Sequence, residues 1–279
     1  MFHVERMQVD DFSFAVQLAN TMNWDMTPAD FEFMIKLEPD GCFVLFHGQE
    51  RSGIATSISF GKAGWFGNLV VKEKFRRGGA GKLLTKHAMD YLKNKGVETI
   101  GLYAYPHLVT FYENLGFEPD IAFAVLKGKA TVSPTHGMLK EATKRDVPEI
   151  IAFDRQYFGA NRQKLLETIL FNQDNLCYVA TINSKITGYV AAKVYGKTAE
   201  VGPLISNANW KEGAVMLIET ILSRLNGFEI FMCIPTKEAE LLKMLSKAGF
   251  KEDFRVVRMF SGSALAQNCI CGPESLERG

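Results

Sequence analysis

The stretch that decides the fold is VVKEKFRRGGAGKLL, residues 70–84. It leaves an apolar run typical of a buried strand, crosses a short basic loop and enters an amphipathic helical pattern near residue 80. Three glycines within residues 78–81 leave the loop backbone almost free of side chains. Consecutive N–H groups in such a loop, followed by the free amides and positive dipole end of a helix, bind anions. Residues 70–84 therefore predict a phosphate-binding loop between a strand and a helix.

The charge around the loop indicates a polyanion such as a pyrophosphate, since Arg76, Arg77 and Lys82 flank the glycines. A nucleotide-binding loop of the Walker type needs Ser or Thr after Gly-Lys, whereas Leu83 follows Lys82 here. The dinucleotide pattern G-x-G-x-x-G also fails, and its turn belongs after the first strand, not the third. On the loop alone, a flexible glycine turn without a ligand stays open as an alternative.

The first half of the chain predicts an α+β domain. Thr27 followed by Pro28 and Asp30 is a typical helix start, and Gly96 and Gly116 are typical glycines just beyond helix ends. The predicted order is two helices (11–22, 28–37), three strands (41–47, 53–60, 65–71), a helix (80–95), a strand (98–104), a short helix (108–116) and a strand (121–128). This order predicts a mixed, mostly antiparallel sheet flanked by helices.

The second half is a degenerate repeat of the first. Three landmarks return in the same order at offsets of 135, 135 and 133 residues, which favours duplication over chance. The paired landmarks are Asp11 and Asp146, Gly53 and Gly188, and Gly116 and Gly249.

The repeat divides the chain into two predicted domains, residues 1–132 and 138–262. The intervening TVSPTHG, residues 131–137, has the composition of a linker. The polar residues 263–279 form a tail that we expect to be poorly ordered.

Composition narrows the class of protein. The 279 residues are 47% hydrophobic and 23% charged with a net charge of +1, which gives no reason to expect nucleic acid or an anionic membrane as a partner. The absence of a signal-peptide pattern and of an apolar run of about 18 residues favours a cytoplasmic location. Five cysteines at irregular spacing argue against a disulfide framework, and Cys269 and Cys271 lack the further ligands that a metal site needs.

At this point the sequence resembles the GNAT superfamily of N-acetyltransferases. Arg76, Gly79 and Gly81 match the R-x-x-G-x-G motif that binds acetyl-CoA between a strand and a helix, and FYENLGF, residues 111–117, is similar to a later segment of that domain. The resemblance covers the first half well and implies acetyl-CoA as cosubstrate, no metal and transfer of the acetyl group to an amine by direct attack.

The resemblance also implies roles for particular residues. Tyr112 matches the tyrosine near the thioester sulfur and could protonate the departing thiolate, although a core aromatic is the ordinary alternative. The N–H of Val71 would stabilise the oxyanion. The residues implied in coenzyme binding are Leu69, Val70, Val71, Arg76, Arg77, Gly78, Gly79, Ala80, Gly81 and Lys82.

Two departures from the family pattern stand out. Many relatives carry a base glutamate in the strand before the loop, but residues 66–68 read Phe-Gly-Asn and hold no carboxylate. The general base is therefore unassigned, or solvent takes its role. Tyr105 stands where the family has an asparagine that contacts the cofactor.

The second half has lost the predicted machinery. Aligned at an offset of 134, Trp210 replaces Arg76 and Val215 replaces Gly81; at an offset of 133, Leu245 replaces Tyr112. This half is therefore expected to be a GNAT-like domain without acetyl-CoA that helps to form the acceptor pocket.

Three residues are candidates for the acceptor site. Trp24 could form a wall of the pocket or belong to the core. Asp154 and Arg162 could contact the acceptor, although a solvated helix and its cap is the more ordinary interpretation.

Two other functions stay open beside amine acetylation: transfer from another acyl-CoA, and an acetyl-CoA sensor without turnover. The acceptor, a small molecule or a peptide amine, is not identified by the sequence. Fused repeats often replace a dimer, so a monomer is favoured.

Overall fold

A computed structural model describes residues 1–129 and 139–279. The predicted linker 131–137 and the boundaries at 132 and 138 lie outside the described residues, so the domain limits stay a prediction.

The first half has the predicted order of elements, preceded by a short edge strand that the pattern did not reveal. Its elements are β1 (Phe2–Arg6), α1 (Phe12–Asn20), α2 (Pro28–Leu37), β2 (Cys42–His47), β3 (Glu50–Ser59), β4 (Ala63–Val71), α3 (Ala80–Asn94), β5 (Thr99–Ala104), α4 (Val109–Glu113) and β6 (Glu118–Gly128).

Local sequence explains the helix ends. Thr27 and Asp30 form a reciprocal capping box at the start of α2, with the Thr27 backbone N–H donating to the Asp30 carboxylate over 2.7 Å. Such a box satisfies amides that the first helical turn leaves free. Gly96 and Gly116 adopt left-handed φ angles of 83° and 87°, as glycines beyond helix ends do.

The second half repeats this order element by element. It contains β7 (Lys140–Glu141), α5 (Val147–Phe158), α6 (Gln163–Leu170), β8 (Leu176–Ile182), β9 (Lys185–Tyr195), β10 (Thr198–Asn207), α7 (Lys211–Arg224), β11 (Glu229–Pro235), α8 (Ala239–Lys247) and β12 (Lys251–Ser261), followed by β13 (Cys269–Gly272). The sequence repeat is thus also a structural repeat.

The described strands form one mixed sheet in the order β1-β2-β3-β4-β5-β12-β6-β11-β10-β9-β8-β7, with β13 paired to β10. The pairs β4–β5 and β10–β11 are parallel, and the other pairs are antiparallel. The last strand of each half lies between strands of the other: β12 between β5 and β6, and β6 between β12 and β11. The two halves therefore exchange their final strands and complete each other's sheet.

The two faces of β4 pack against different helices. Trp65 and Val70 belong to the core that contains α1 and α2, and this core continues into α5 and α6 of the second half. Phe66 and Val71 belong to the core under α3 and α4. The face of β4 that carries Trp65 is therefore the face toward the second half.

The expectation that residues 263–279 are poorly ordered is wrong. Cys269–Gly272 form β13, which pairs with β10 from Leu204 to Asn207. Glu274, Ser275 and Arg278 are buried. A polar composition did not leave these residues in solvent, because Glu274 pairs with Lys193 of β9 and Arg278 pairs with Glu274 and Glu277.

Candidate active site

An open edge of β4 is the central feature of the site. β4 and β5 pair only from Ala63–Thr99 to Trp65–Gly101, but β4 continues to Val71 and β5 to Ala104. Beyond Trp65 the two parallel strands are no longer paired with each other. The backbone of Leu69, Val70 and Val71 thus has β3 on one side and an open edge on the other.

Two local features hold the strands apart. Asn68 has a left-handed φ of 50°, and the β3–β4 register shifts between Ile54 and Thr56, so β4 bulges here. A Cβ on Gly101 would lie 2.3 Å from the Trp65 ring, which shows how closely the indole covers the β5 backbone. The β4–β5 pairing thus ends at Trp65 and Gly101, shortly before the bulge at Asn68.

The glycine loop lies at the end of this open edge. Arg77 and Gly79 have left-handed φ angles of 63° and 85°, and Gly79 is the N-cap of α3. The Leu83 N–H donates to the Gly79 carbonyl over 2.9 Å. The amides before Leu83 precede this first helical bond and have no carbonyl within the helix to bind. The loop and the helix start thus present donors to an anion.

The charged side chains around the loop have different tasks. Arg77 and Lys82 are exposed beside the helix start. Arg76 donates from Nε to the Val71 carbonyl over 2.9 Å, so its side chain ties the loop back to the end of β4. Lys72 and Lys74 both pair with Glu50. Of the predicted cationic residues, Arg77 and Lys82 are the ones left available for an anion.

Tyr112 lies beneath the open strands on the α3 side. Its side chain is 6% exposed and contacts the Phe66 ring edge-on, with 6.4 Å between ring centroids. Burial raises the pKa of the Tyr112 phenol, so the hydroxyl stays protonated at neutral pH. Its ring also contacts those of Phe111 and Phe117. The position of Tyr112 is thus compatible with a structural role in the core and with a role as proton donor.

The second half has no equivalent loop, although the predicted residue correspondence is wrong. Eight residues separate β4 from α3, but only residues 208–210 separate β10 from α7. Matching the helix starts gives an offset of 131, so Trp210 and Val215 do not replace Arg76 and Gly81 one for one. The loop is lost because it is shorter, and Trp210 packs against Gly213 in the first turn of α7.

The correspondence of Tyr112 with Leu245 does hold. The Phe117 N–H donates to the Tyr112 carbonyl, and the Phe250 N–H donates to the Leu245 carbonyl, over 3.1 and 3.0 Å. An apolar side chain therefore stands at the tyrosine position of the second half.

Trp24 bridges the α1–α2 connection and the end of β5. Its indole Nε1 donates to the Tyr105 hydroxyl over 3.0 Å, and the half-buried ring packs against the core of α1 and α2. Trp24 is thus both a core contact and a boundary of the open strands. The sequence marked Tyr105 only as a departure and gave no sign of this bond.

The interpretation of Asp154 and Arg162 as a solvated helix and its cap is wrong. Their exposed fractions are 0% and 1%, and Arg162 Nη2 lies 2.5 Å from Asp154 Oδ2. The Tyr189 hydroxyl donates to the same carboxylate over 2.6 Å, and Arg162 Nη1 donates to the Gly279 carbonyl. The pair is buried between the second half and residues 273–279, and Tyr189 is a partner that sequence spacing could not reveal.

Glu38 links α2 to α3 and to the second half. Its carboxylate accepts from Lys164 of α6 and Tyr91 of α3 over 2.6 Å each, and from Lys95. Burial acts to raise its pKa, but these hydrogen bonds outweigh it and lower the pKa of Glu38 to about 2. Glu38 is therefore an ionised link between α2 and the second half.

Among residues 1–129 and 139–279, no group of three or more His, Cys, Asp or Glu side chains is arranged to hold a metal ion. In the same described part, no helix has the length and apolar character needed to span a membrane.

Comparison with known proteins identifies both halves. Residues 7–117 match the model of the Acetyltransferase (GNAT) family, and residues 150–269 match that of an Acetyltransferase (GNAT) domain. An uncharacterized N-acetyltransferase, ycf52, of Gracilaria tenuistipitata var. liui is 31% identical over 114 residues. That match covers 37% of this chain and 60% of the relative, so the chain spans less than two thirds of the relative's length.

Two solved structures share the whole fold. A putative acetyltransferase from Pyrococcus horikoshii has a TM-score of 0.80 at 21% identity, over 100% of this chain and 96% of that one. A GCN5-related N-acetyltransferase from Sphaerobacter thermophilus has a TM-score of 0.68 at 14% identity, over 95% and 98%. The chain therefore belongs to the GNAT acetyltransferase family and carries two GNAT domains in tandem.

Proposed function

We propose that the first half binds acetyl-CoA and transfers its acetyl group to an amine. One observation carries this proposal: the open edge of β4 leads directly into the anion-binding loop at the start of α3. A ligand that fits must combine an extended arm with backbone-like amides and a polyanionic group at its far end. Coenzyme A has both parts.

Each part of the coenzyme has a matching surface. The amides of the pantetheine arm would pair with the backbone of Leu69, Val70 and Val71, as a neighbouring strand does. The pyrophosphate would accept hydrogen bonds from the loop and from the first turn of α3. The residues proposed for this site are Gly78, Gly79, Ala80 and Gly81 through the backbone and Arg77 and Lys82 through their charge. Arg76 is proposed to hold the loop against the end of β4.

The reaction needs an uncharged amine. A lysine-like amine has a pKa near 10.4, so a base must remove a proton before the nitrogen attacks the thioester carbonyl. The new C–N bond forms, the oxyanion is stabilised by the Val71 N–H, and the C–S bond then breaks. Tyr112, whose phenol is protonated at neutral pH, is the proposed donor to the thiolate.

The acceptor is proposed to approach from the face of β4 that carries Trp65. Trp24 bounds this side, and Asp154 and Arg162 support it from the second half. The second half, which lacks the long loop, is proposed to shape the acceptor site without binding coenzyme.

Calorimetric titration with coenzyme A tests the binding step. A Cβ on Gly81 would lie 3.5 Å from the Phe111 ring, an ordinary contact, so alanine fits. The branched side chain of valine would fill more of the space between the loop and this ring. Gly81→Val should raise the dissociation constant at least tenfold, about 1.4 kcal/mol, with Gly81→Ala affected less. Equal affinity in all three proteins would contradict the proposed loop.

Thiol release from acetyl-CoA tests turnover. The acceptors are spermidine, L-lysine, L-alanine amide and a short peptide with a free N-terminus. Release that depends on an amine supports transfer; binding without release supports a sensor instead. Faster release from propionyl-CoA or a longer thioester would assign a different acyl chain.

A further inference from the structure

Residues 273–279 cover the face of β4 opposite α3. The Trp65 indole Nε1 donates to the Leu276 carbonyl over 3.2 Å. A Cβ on Gly67 would lie 2.5 Å from Cβ of Glu277 and 2.6 Å from its Cα, so Glu277 occupies the space that a side chain at position 67 would fill. On the other side, Arg278 packs over the Phe33 ring of α2, 5.0 Å from its centroid. The segment therefore lines the side of β4 from which the acceptor is proposed to approach.

Buried ion pairs hold this segment in place. Glu274 is fully buried and accepts from Lys193 of β9 and, over 2.7 Å, from Arg278 Nε. Burial alone would raise the pKa of Glu274, but these two cations lower it, so the carboxylate stays ionised. Breaking a buried pair typically costs about 3–5 kcal/mol, and displacing the segment would separate Glu274 from Lys193. A fixed wall of the site is therefore favoured over a plug that leaves during each turnover.

Glu277 lies at the inner end of the open strands. If the phosphates lie at the loop beyond Val71, the thioester end of the arm must point back along β4 toward the bulge at Asn68. Gly67 immediately precedes this bulge, and Glu277 is seated on Gly67. Cα and Cβ of Glu277 thus lie against the part of β4 whose own sequence, residues 66–68, supplies no carboxylate, and the Glu277 carboxylate lies 2.5 Å from Arg278 Nη1.

The charges around Glu277 leave a carboxylate in excess. The cluster contains two cations, Lys193 and Arg278, and three carboxylates, Glu200, Glu274 and Glu277. The uncharged residues Trp65 and Gly67 of β4 contact Leu276 and Glu277, and Phe33 and Met34 of α2 contact Arg278. The Glu277 side chain is 20% exposed and can be reached from solvent. An ammonium group is therefore favoured beside it.

We propose that Glu277 is the general base that the strand lacks, and that it takes the proton from the acceptor ammonium. This inference rests on the proposed function. The carboxylate accepts one proton, the freed amine forms the C–N bond, and the C–S bond breaks as the thiolate leaves. The second proton of the attacking nitrogen passes to the thiolate, with Tyr112 as the proposed relay, and Glu277 returns its proton to solvent.

The test compares Glu277→Gln, Glu277→Asp and a control, Glu252→Gln, which removes a carboxylate from an exposed ion pair with Arg255. The probe is acetyl-CoA with the best acceptor of the four amines. Glu277→Gln should lower kcat at pH 7 by about 10²-fold or more and remove the acidic limb of the pH profile. Its affinity for coenzyme A should stay within about twofold of the original. Glu277→Asp should retain the limb at reduced kcat, and Glu252→Gln should match the original protein.

Each other outcome overturns the inference. An unchanged kcat and pH profile in Glu277→Gln would show that the carboxylate takes no proton, and an increased kcat would show that the segment is a plug. If Glu277→Gln does not fold, loss of the acidic limb in Glu277→Asp overturns the inference and retention supports it. An original protein that neither acetylates an amine nor releases thiol refutes the proposed function itself, and this inference with it.

Discussion

Replacing Gly79 by alanine isolates the backbone conformation of the loop from its steric environment. Gly79 has φ of 85°, and no atom lies within 4 Å of the position where its Cβ would be added. Gly78 has no left-handed φ, and its added Cβ would lie 3.7 Å from the Phe75 carbonyl, an ordinary contact. The two substitutions therefore add the same methyl group without collision and differ in the φ they require.

The expected cost of Gly79→Ala follows from this difference. A residue other than glycine in the left-handed region costs about 1–2 kcal/mol. If the variant loop keeps its conformation, the cost appears as lower free energy of unfolding. If the loop relaxes, coenzyme A must restore the conformation, and its dissociation constant rises by about 5- to 30-fold. The loss of unfolding free energy and the loss of coenzyme A binding free energy should add to about 1–2 kcal/mol.

The assay combines urea unfolding with calorimetric titration of coenzyme A on both variants. Gly78→Ala should lose less than about 0.5 kcal/mol in the same sum. Equal losses in Gly78→Ala and Gly79→Ala, or no loss in either, would refute the view that the left-handed conformation at Gly79 shapes the anion site.

Three further predictions concern buried polar groups. Tyr112→Phe should lower kcat about tenfold or more with little change in unfolding free energy, because phenylalanine keeps the ring contacts with Phe66, Phe111 and Phe117; an unchanged kcat would exclude Tyr112 as proton donor. Since the pKa of Glu38 falls from 4.5 to about 2 on folding, about 3 kcal/mol of stability should be present above pH 4.5 and lost as pH falls toward 2. Urea unfolding at pH 6 and pH 3 should show this loss of stability. The loss should be smaller in Glu38→Gln, which removes the carboxylate, and in Lys164→Met, which removes one of its hydrogen bonds. Arg162→Ala should cost about 3–5 kcal/mol in the same assay, because Asp154 would keep a buried charge; a cost under 1 kcal/mol would contradict the buried pair.

Local sequence patterns predicted most elements of the first half. The capping box at Thr27 and the glycines at 96 and 116 act through neighbouring backbone groups, so a few consecutive residues suffice to predict them. β1 escaped detection because FHVER is a short, half-exposed edge strand. The comparison of the two halves failed at one loop, since the alignment assumed equal lengths and the structure has eight residues against three.

The exchange of final strands could not be predicted. Residues 121–128 have a strand pattern, but a pattern of side chains states which face is buried and not which strand lies alongside. β6 and β12 pair with each other and with the opposite half through contacts more than a hundred residues apart in sequence. The partner of each strand is thus a property of the whole chain.

The position of residues 273–279 was the largest error. Three charged residues in seven indicated solvent, because a lone charge is costly to bury. Lys193, more than 70 residues earlier, and Arg278 make the burial of Glu274 possible by pairing with it. Only the folded chain shows that a segment rich in charge can line a protein interior.

By itself the sequence determined the tandem repeat, the α+β class and the glycine loop ahead of α3, since each depends on spacing within a short stretch of chain. The tertiary structure decided which strands meet, where β4 separates from β5 and which residue lies over Gly67. These features depend on contacts between distant residues, and the free energy of such contacts is fixed only when the chain brings the partners together.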